Sequence, residues 1–394
     1  MHDFESSDLL NRLPEQFFAA LVKKAKKLEN EGHNVINLGQ GNPDLPTPAF
    51  IVEALKAASE NTKFHKYPPF QGYPFLKEAI ARFYEDEYGV MVDPATEVAI
   101  LFGAKTGLVE VSQCLLNKGD KVLVPDPGYP DYMSGIAIAH AEPVYMPLLE
   151  ENDFLPDYAQ FDHDKLTEAK LLFLNYPNNP TAAMATTDFF DQTVALAKNH
   201  QICVVHDFAY GAIGYDGVQA PSFLQTKGAK DIGIEIYTLS KTFNMAGWRV
   251  AFAVGNKSVI RSLELIQDHY YVSIFGAIQY AAQQALLHGK KAINENIQIY
   301  EQRRNTFLQK AEAIGWKGGI SKGSFFVWMP VPDGYSSEQF ANILLEKAHV
   351  VVAPGNGFGT TGEGYVRVAL LDEESNLVKA CERIKHLQIF KRIV

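Results

Sequence analysis

The chain has 394 residues, of which 47% are hydrophobic and 21% charged, so it is long enough for more than one domain around a sizeable core. Its formal net charge of -10 argues against a nucleic-acid partner or an anionic membrane surface. There is no long apolar run of the kind that spans a membrane, and the charged N-terminal segment does not resemble a signal peptide. Cys114, Cys203 and Cys381 lie far apart in apolar contexts, which favours burial in a reducing compartment over a disulfide or a metal site. We therefore expect a cytoplasmic globular protein without a metal centre.

The N-terminal quarter alternates predicted helices with loops. An amphipathic helix is predicted over residues 14–30, where a lysine-rich face opposes an apolar one. A membrane-surface role is a less favoured interpretation of this pattern. The loop 38–48 contains two glycines and three prolines, so its backbone can approach a ligand closely. Helices are predicted again over 51–58 and 75–88, with an aromatic loop between them.

Short and almost entirely apolar runs then alternate with helix-length segments, which is typical of a parallel sheet covered by helices. These runs are 98–102, 121–124, 170–174, 202–205 and 234–237. The character changes after about residue 275, where the predicted elements are helices over 277–287 and 301–314 and strands over 324–329, 350–353 and 365–370. We predict an α/β core followed by a smaller α+β part, with which the first forty or so residues pack.

One lysine stands just beyond the run 234–237, at a strand end where open α/β sheets bind ligands. Around Lys241 lie the hydroxyls of Thr238 and Ser240 and the guanidinium of Arg249. These groups can converge on one phosphorylated ligand, as a Schiff-base lysine with a phosphorylated aldehyde cofactor requires. An ordinary surface lysine is the alternative interpretation. The turn at residues 103–107 joins a strand to a helix, so its free amides can also face an anion.

Other strand ends carry groups that would suit such a cofactor. Asp207 caps a helix or pairs with a buried cation; beside a pyridine ring it would keep the ring nitrogen protonated and make the ring an electron sink. Tyr210 and Asn179 could donate hydrogen bonds to a phenolate oxygen on that ring. Tyr129 offers a flat surface for stacking, with a core tyrosine as the alternative.

The run over residues 240–249 resembles the lysine motif of class I/II aminotransferases, the fold-type I enzymes that depend on pyridoxal 5'-phosphate (PLP). The resemblance covers nearly the whole chain and implies an α/β fold in two domains. The large PLP-binding domain would span 46–280, with a mostly parallel seven-stranded sheet covered by helices, and the small α+β domain 1–45 and 281–394. The other matching motifs, in the family's order, are Gly41-Asn42-Pro43-Asp44, Tyr67, Gly103-Ala104-Lys105, Pro127-Gly128-Tyr129-Pro130, Asn175-Tyr176-Pro177-Asn178-Asn179-Pro180-Thr181, Asp207-Phe208-Ala209-Tyr210 and Gly364-Tyr365-Val366-Arg367.

The resemblance also implies a role for each site residue. Lys241 would form the Schiff base and move the proton at the substrate Cα. Arg367 would bind the substrate α-carboxylate, with Gly41 and Asn179 nearby. Tyr67 would reach the phosphate of the other subunit, which implies a homodimer with shared sites. The remaining cofactor contacts would be Asp207 at the pyridinium, Tyr210 and Asn179 at the phenolate, Tyr129 on the ring, and Gly103, Ala104, Lys105, Thr238, Ser240 and Arg249 at the phosphate.

Three positions depart from the family pattern. Ala104 and Thr238 stand where a serine is frequent, and Ala182 stands where a glycine is frequent. These departures concern cofactor affinity and a turn, and none removes a catalytic group.

The region where aspartate-specific members carry an additional arginine, here 268–275, contains none. This favours a neutral or apolar substrate side chain: methionine-like, aromatic, branched or glutamine. The whole chain resembles the aminotransferases of bacterial methionine salvage, which convert the keto acid of methionine to methionine.

Several other functions share part of this residue pattern. A PLP-dependent carbon–sulfur lyase or an aminocyclopropane carboxylate synthase-like enzyme would use the same residues. A regulator built on this fold would normally carry a winged-helix domain ahead of it, and too few residues precede the core here. Residues 355–359 begin like a dinucleotide fingerprint, but the third glycine is replaced by Thr360, so we interpret them as a mobile loop before the Arg367 strand.

Overall fold

The computed structural model describes residues 2–14, 19–161 and 163–390. Of the predicted helix 14–30, residues 15–18 lie outside the described residues, and the structure has a helix over Ala19–Asn30. The helices are α1 (Asp8–Asn11), α2 (Ala19–Asn30), α3 (Ala49–Ser59), α4 (Pro74–Tyr88), α5 (Ala104–Leu115), α6 (Tyr132–Ile138), α7 (His163–Glu168), α8 (Thr187–His200), α9 (Ala229–Ile232), α10 (Leu239–Thr242), α11 (Lys257–Tyr270), α12 (Gly276–His288), α13 (Lys290–Ala313), α14 (Ser337–Ala348) and α15 (Glu374–Lys385).

The strands belong to one large and two small sheets. They are β1 (Ile36–Asn37), β2 (Val98–Leu101), β3 (Lys121–Asp126), β4 (Glu142–Pro147), β5 (Ala169–Leu174), β6 (Cys203–Asp207), β7 (Gly233–Thr238), β8 (Ala251–Gly255), β9 (Phe326–Pro330), β10 (Val350–Val351), β11 (Ala353–Pro354) and β12 (Tyr365–Ala369).

The large sheet has seven strands in the order β2-β8-β7-β6-β5-β3-β4. Only β8 runs against the others, because it pairs antiparallel with both β7 and β2. Every residue of β2, β7 and β8 is buried. Alternate residues of these strands enter two separate cores: one face packs with α3, α4, α8 and α12, and the other with α5, α6 and α11. The predicted mostly parallel, helix-covered sheet of seven strands is thereby confirmed.

Two strands of this sheet were not singled out by the sequence pattern. β4 forms an exposed edge of the sheet, and Pro143 and Pro147, near its two ends, interrupt any apolar run. β8 is short and rich in alanine and follows the Lys241 motif directly. The predicted single strand 350–353 is in fact divided, because Val350–Val351 pairs with β1 whereas Ala353–Pro354 pairs with β12.

The C-terminal part of the chain is built on the antiparallel sheet β11-β12-β9. The N-terminal segment joins it, because β1 pairs in parallel with β10 and the side chains of Ile36 and Leu38 enter the same core as Trp316 and Phe340. Helix α12 packs on α3 and α4, whereas α13 packs on α15. We propose the division into 46–280 and 1–45 with 281–394, with one change: residues 281–288 go with the large unit, because they belong to α12, which packs on α3 and α4. Within the described residues no helix is both long and apolar enough to cross a membrane.

A buried hydrogen-bond network lies within the large sheet. Glu235 on β7 and His206 on β6 are both fully buried, and Nδ1 of His206 lies 2.8 Å from Oε1 of Glu235. The carboxylate also accepts hydrogen bonds from Tyr84 Oη at 3.0 Å, Ser222 Oγ at 2.7 Å and the amide of Phe223 at 2.6 Å. Because a buried carboxylate requires such donors, this cluster fixes the alignment of β6 and β7, and β6 ends on Asp207.

Glu235→Ala leaves several buried donors without an acceptor, and we expect it to lower the free energy of unfolding by about 3–5 kcal/mol. The measurement is urea unfolding at one fixed protein concentration. Glu53→Ala is the control, since it removes only the exposed pair with Lys56 and should leave the midpoint unchanged. Equal midpoints for the two variants would contradict a structural role for the Glu235 network.

Candidate active site

A cavity of about 570 Å³ opens beyond the carboxyl ends of the parallel strands, where it meets β9 and β12. Most of the predicted site residues line it although they are remote in sequence. The lining residues that belong to the prediction are Gly41, Ala104, Lys105, Tyr129, Asn179, Asp207, Tyr210, Thr238, Ser240, Lys241, Arg249 and Arg367.

Lys241 lies in α10, immediately after β7. Thr238 caps this short helix, because its Oγ1 accepts a hydrogen bond from the amide of Ser240 at 3.1 Å. The lysine Nζ donates to the carbonyl oxygen of Gly41 at 2.6 Å. Burial, together with the nearby positive charge of Arg367, lowers the pKa of Lys241 to about 8. The amine therefore loses its proton as the pH rises through about 8, well below the usual range of a lysine, and an amine nucleophile must be unprotonated to react.

Asp207 is the last residue of β6 and is buried in the wall of the cavity. Its Oδ2 accepts a hydrogen bond from Tyr132 Oη at 2.9 Å. Its Oδ1 has no hydrogen-bond partner among the described residues. Burial raises the pKa of Asp207 to about 6, against the opposing effects of the Tyr132 hydrogen bond and the charges of His206 and Lys241. A buried acceptor of this kind is suited to a cationic N–H donor from a ligand.

The opposite end of the cavity is built to receive an anion. Gly103 precedes α5 with a φ of +88°, and a Cβ at this position would collide with Nη2 of Arg249. The guanidinium thus lies against the helix N-terminus, where backbone amides have no intrahelical acceptor. Thr238 lines this end, but its hydroxyl is engaged in capping α10. The side chain of Lys105 pairs with Asp131 at 2.8 Å.

Arg367 projects from β12 and is buried against two aromatic rings. Its guanidinium carbon lies 4.0 Å from the ring centroid of Phe326 and 4.7 Å from that of Phe358. Nη1 donates to Oδ1 of Asn179 at 2.7 Å and Nη2 donates to the carbonyl of Gly39 at 2.9 Å. Nε has no partner among the described residues. Burial lowers the pKa of Arg367 to about 10, so the group stays charged at neutral pH and suits a carboxylate ligand.

Two tyrosines of the prediction line the cavity, and one lies elsewhere. Tyr129 and Tyr210 are both in the wall, and burial raises the pKa of each hydroxyl. Tyr67 is 87% exposed and does not line the cavity of its own chain. The Asn179–Pro180 peptide bond, which the sequence left open, is cis.

Sequence reasoning missed several residues that hold the site in place. Asn175 donates from Nδ2 to the carbonyl of Asp207 at 2.7 Å, and its Oδ1 accepts from the amide of Asn179 at 2.7 Å. Its position at the start of the motif at 175–181 was a usable signal. Tyr132, Phe326 and Phe358 carried no signal, because nothing local marks a side chain that packs on a partner far away in sequence.

The arrangement fits PLP. The unpartnered Oδ1 of Asp207 can accept from the pyridine N–H, and Lys241 has a readily deprotonated amine. The glycine at position 103 lets the guanidinium of Arg249 lie against the start of α5, so the guanidinium and the free amides of the helix N-terminus can together receive a phosphate. The fold and the cavity together define a PLP-dependent transferase of fold type I.

Comparison with known proteins identifies the family. The pattern described as aminotransferase class I and II matches residues 33–384. The chain is 58% identical, over 98% of its own length and 97% of the relative, to the L-glutamine--4-(methylsulfanyl)-2-oxobutanoate aminotransferase of Bacillus subtilis (strain 168). It is 42% identical to the LL-diaminopimelate aminotransferase of Halothermothrix orenii, over 98% and 99% of the two chains. A substrate-bound structure of BacF from Bacillus subtilis superposes with a TM-score of 0.94 at 49% identity, over the full length of both chains.

The chain belongs to the class I and II aminotransferases. It is a PLP-dependent enzyme that moves an amino group between an amino acid and a 2-oxo acid, as predicted. The lyase, synthase and regulator alternatives are not favoured by these relationships.

Lys241 should be the residue that PLP modifies. When cofactor-free protein is mixed with PLP and reduced with borohydride, we expect peptide mapping to locate the label on Lys241. Labelling should increase as the pH rises through about 8, because only the unprotonated amine attacks the aldehyde. Lys241→Arg should abolish the label, and Lys56→Arg, at an exposed surface lysine, should not. A label on another lysine would overturn the assignment.

Proposed function

We propose that the enzyme transfers amino groups to and from neutral amino acids, with 4-methylthio-2-oxobutanoate, the keto acid of methionine, as acceptor and glutamine or aromatic amino acids as donors. The main support for this proposal is the set of cationic side chains that line the cavity. Within the described residues they are Lys105, Lys241, Arg249 and Arg367. Lys105 is paired with Asp131, and the other three face the proposed positions of phosphate, aldehyde and α-carboxylate. None is left for a second carboxylate on the substrate.

The relatives support the same substrate class. The relative at 58% identity carries glutamine and 4-(methylsulfanyl)-2-oxobutanoate in its name, whereas the diaminopimelate enzyme is 42% identical. Two aromatic side chains, Phe326 and Phe358, line the cavity next to Arg367 and make this part of its wall apolar, which suits a neutral substrate side chain.

We propose that PLP is held by residues on three sides of the cavity. Lys241 would hold it covalently through its aldehyde carbon, Asp207 would accept a hydrogen bond from the pyridine nitrogen, and Tyr129 would stack on the ring. When bound, PLP withdraws electrons from the substrate Cα. The other contacts in this proposal are Tyr210 and Asn179 at the phenolate and Gly103, Ala104, Lys105, Thr238, Ser240 and Arg249 at the phosphate, with Lys105 acting through its backbone because its side chain is paired.

The chain's own residues then orient the substrate and move its proton. Arg367, held by Asn179 and Gly39, fixes the α-carboxylate through Nε and its outward N–H groups. The Nζ of Lys241 would act as the base that takes the proton from the substrate Cα and as the acid that gives it back. The carbonyl of Gly41, 2.6 Å from Nζ, orients the amine for this transfer.

We further propose a cytoplasmic homodimer whose sites are shared. Tyr67 is well placed to reach another copy, because it is 87% exposed and lies outside its own cavity. Phe70 and Phe275 are exposed as well and supply apolar surface of the kind that a subunit interface buries. The cytoplasmic location is supported by the three free cysteines.

A panel of amino donors with 4-methylthio-2-oxobutanoate as acceptor tests the substrate class. We expect kcat/KM for glutamine, phenylalanine or leucine to exceed that for aspartate by at least about tenfold, since the second carboxylate of aspartate would be desolvated without a cation. LL-diaminopimelate and histidinol phosphate belong in the same panel. A strong preference for aspartate or histidinol phosphate would reject the proposal.

Subunit mixing tests the shared site. Tyr67→Ala should weaken PLP retention and Lys241→Ala should abolish activity, so both parent variants should be poor enzymes. After the two variants are unfolded and refolded together, mixed dimers should regain activity, because one of their two sites has both residues intact. Activity no greater than the sum of the parents, with mixed dimers demonstrated by tags, would show that Tyr67 serves its own subunit.

A further inference from the structure

Residues 355–362, which include the stretch 355–359 that we interpreted from the sequence as a mobile loop, form two 3-10 turns between β11 and β12. They are seated on Asp126, the last residue of β3 in the large sheet, whose side chain is buried. Its carboxylate accepts from Thr360 Oγ1 at 2.7 Å, from the Thr361 amide at 3.0 Å and from Thr361 Oγ1 at 2.9 Å. We call residues 355–362 the Phe358 loop, because Phe358 lies at its centre.

The Phe358 loop also packs closely on the end of β3. Gly359 has a φ of +141°, and a Cβ at this position would collide with Oδ1 of Asp126. The amide of Gly128, two residues beyond Asp126, donates to the carbonyl of Phe358 at 2.8 Å. The loop therefore contacts the end of β3 through both its side chains and its backbone, at Phe358 and at the residues that follow it.

The position of the phenyl ring matters because it covers one side of Arg367. Phe358 is buried, and its ring centroid lies 4.7 Å from the guanidinium carbon, which also lies 4.0 Å from the ring centroid of Phe326. Contact with two rings fixes the orientation of the guanidinium and shields it from water. Both effects strengthen its pairing with a carboxylate.

We propose that Asp126 is a positioning residue for recognition of the substrate α-carboxylate. It holds the Phe358 loop in place, and the loop holds the phenyl ring against Arg367. This inference rests on the carboxylate-binding role proposed above for Arg367. It assigns to Asp126, which does not line the cavity, an effect restricted to substrates that carry an α-carboxylate.

The alternative is that Asp126 only ties the two parts of the chain together. In that case its loss would impair every reaction of the enzyme to the same extent. The two cases separate when an amino acid is compared with the amine that lacks only its carboxylate. For methionine that amine is 3-(methylthio)propylamine, which cannot use Arg367.

The experiment measures the first half-reaction of PLP-loaded enzyme by the change in cofactor absorbance, with each substrate in turn. We expect Asp126→Ala to lower the second-order rate constant for methionine by about tenfold or more and to leave that for the amine unchanged. Asp126→Asn keeps an acceptor and should lose less. Thr361→Val should act in the same direction, and the double variant Asp126→Ala/Thr361→Val should fall short of the product of the single effects, because both remove one contact.

The matched control is Asp153→Asn, which alters another contact between the two parts of the chain, the pair with Lys322 at 2.9 Å. It should leave both rate constants unchanged. Unchanged rates in Asp126→Ala, or equal losses for the two substrates, would overturn the inference. If Asp126→Ala does not fold, Asp126→Asn and Thr361→Val decide by the same criterion.

Arg367→Lys separates this inference from the proposal on which it rests. A loss confined to methionine in Arg367→Lys but absent from the Asp126 and Thr361 variants would reject the positioning role alone. Equal losses for methionine and the amine in Arg367→Lys would reject the carboxylate-binding role itself, and the present inference with it.

Discussion

A hydrogen bond of 2.7 Å between Nη1 of Arg367 and Oδ1 of Asn179 joins the two parts of the chain inside the cavity. Arg367 comes from β12 in the C-terminal part, and Asn179 comes from the loop that follows β5 in the large sheet. A buried guanidinium is stable only with acceptors in place, and Asn179 and the carbonyl of Gly39 supply them. The same contacts determine where a carboxylate can lie relative to Lys241. The geometry of the whole site therefore depends on this bond.

The cavity has an excess of positive charge that an anionic ligand can neutralise. Lys241, Arg249 and Arg367 line it together with a single unpaired carboxylate, that of Asp207. Burial and mutual repulsion lower the pKa of Lys241, and burial raises that of Asp207. A phosphate at one end and a carboxylate at the other relieve the excess of positive charge. The property that makes the lysine a good nucleophile thus also makes the cavity selective for a doubly anionic combination of cofactor and substrate.

The parts of the site that follow strand ends could be predicted from the sequence, because the carboxyl ends of parallel strands converge whatever the remaining chain does. Lys241 and Asp207 belong to this class, and so does the α/β fold. The supporting contacts could not be predicted. Thr361 and Asp126 lie 235 positions apart, and nothing local to either residue marks the other. The edge strand β4 was missed for a different reason: one of its sides is exposed, so no apolar run marks it.

The walls around Arg367 also bear on how finely substrates can be distinguished. Phe326 and Phe358 make this part of the wall apolar, so methionine, leucine and phenylalanine side chains are expected to bind against it with similar energy. A difference of one methylene group in such a pocket is worth only about 1–3 kcal/mol. A second carboxylate, by contrast, would be desolvated with no cation among the described lining residues to receive it, and this costs more. The cavity is therefore built to separate acidic from neutral substrates sharply and to separate neutral ones from each other only modestly.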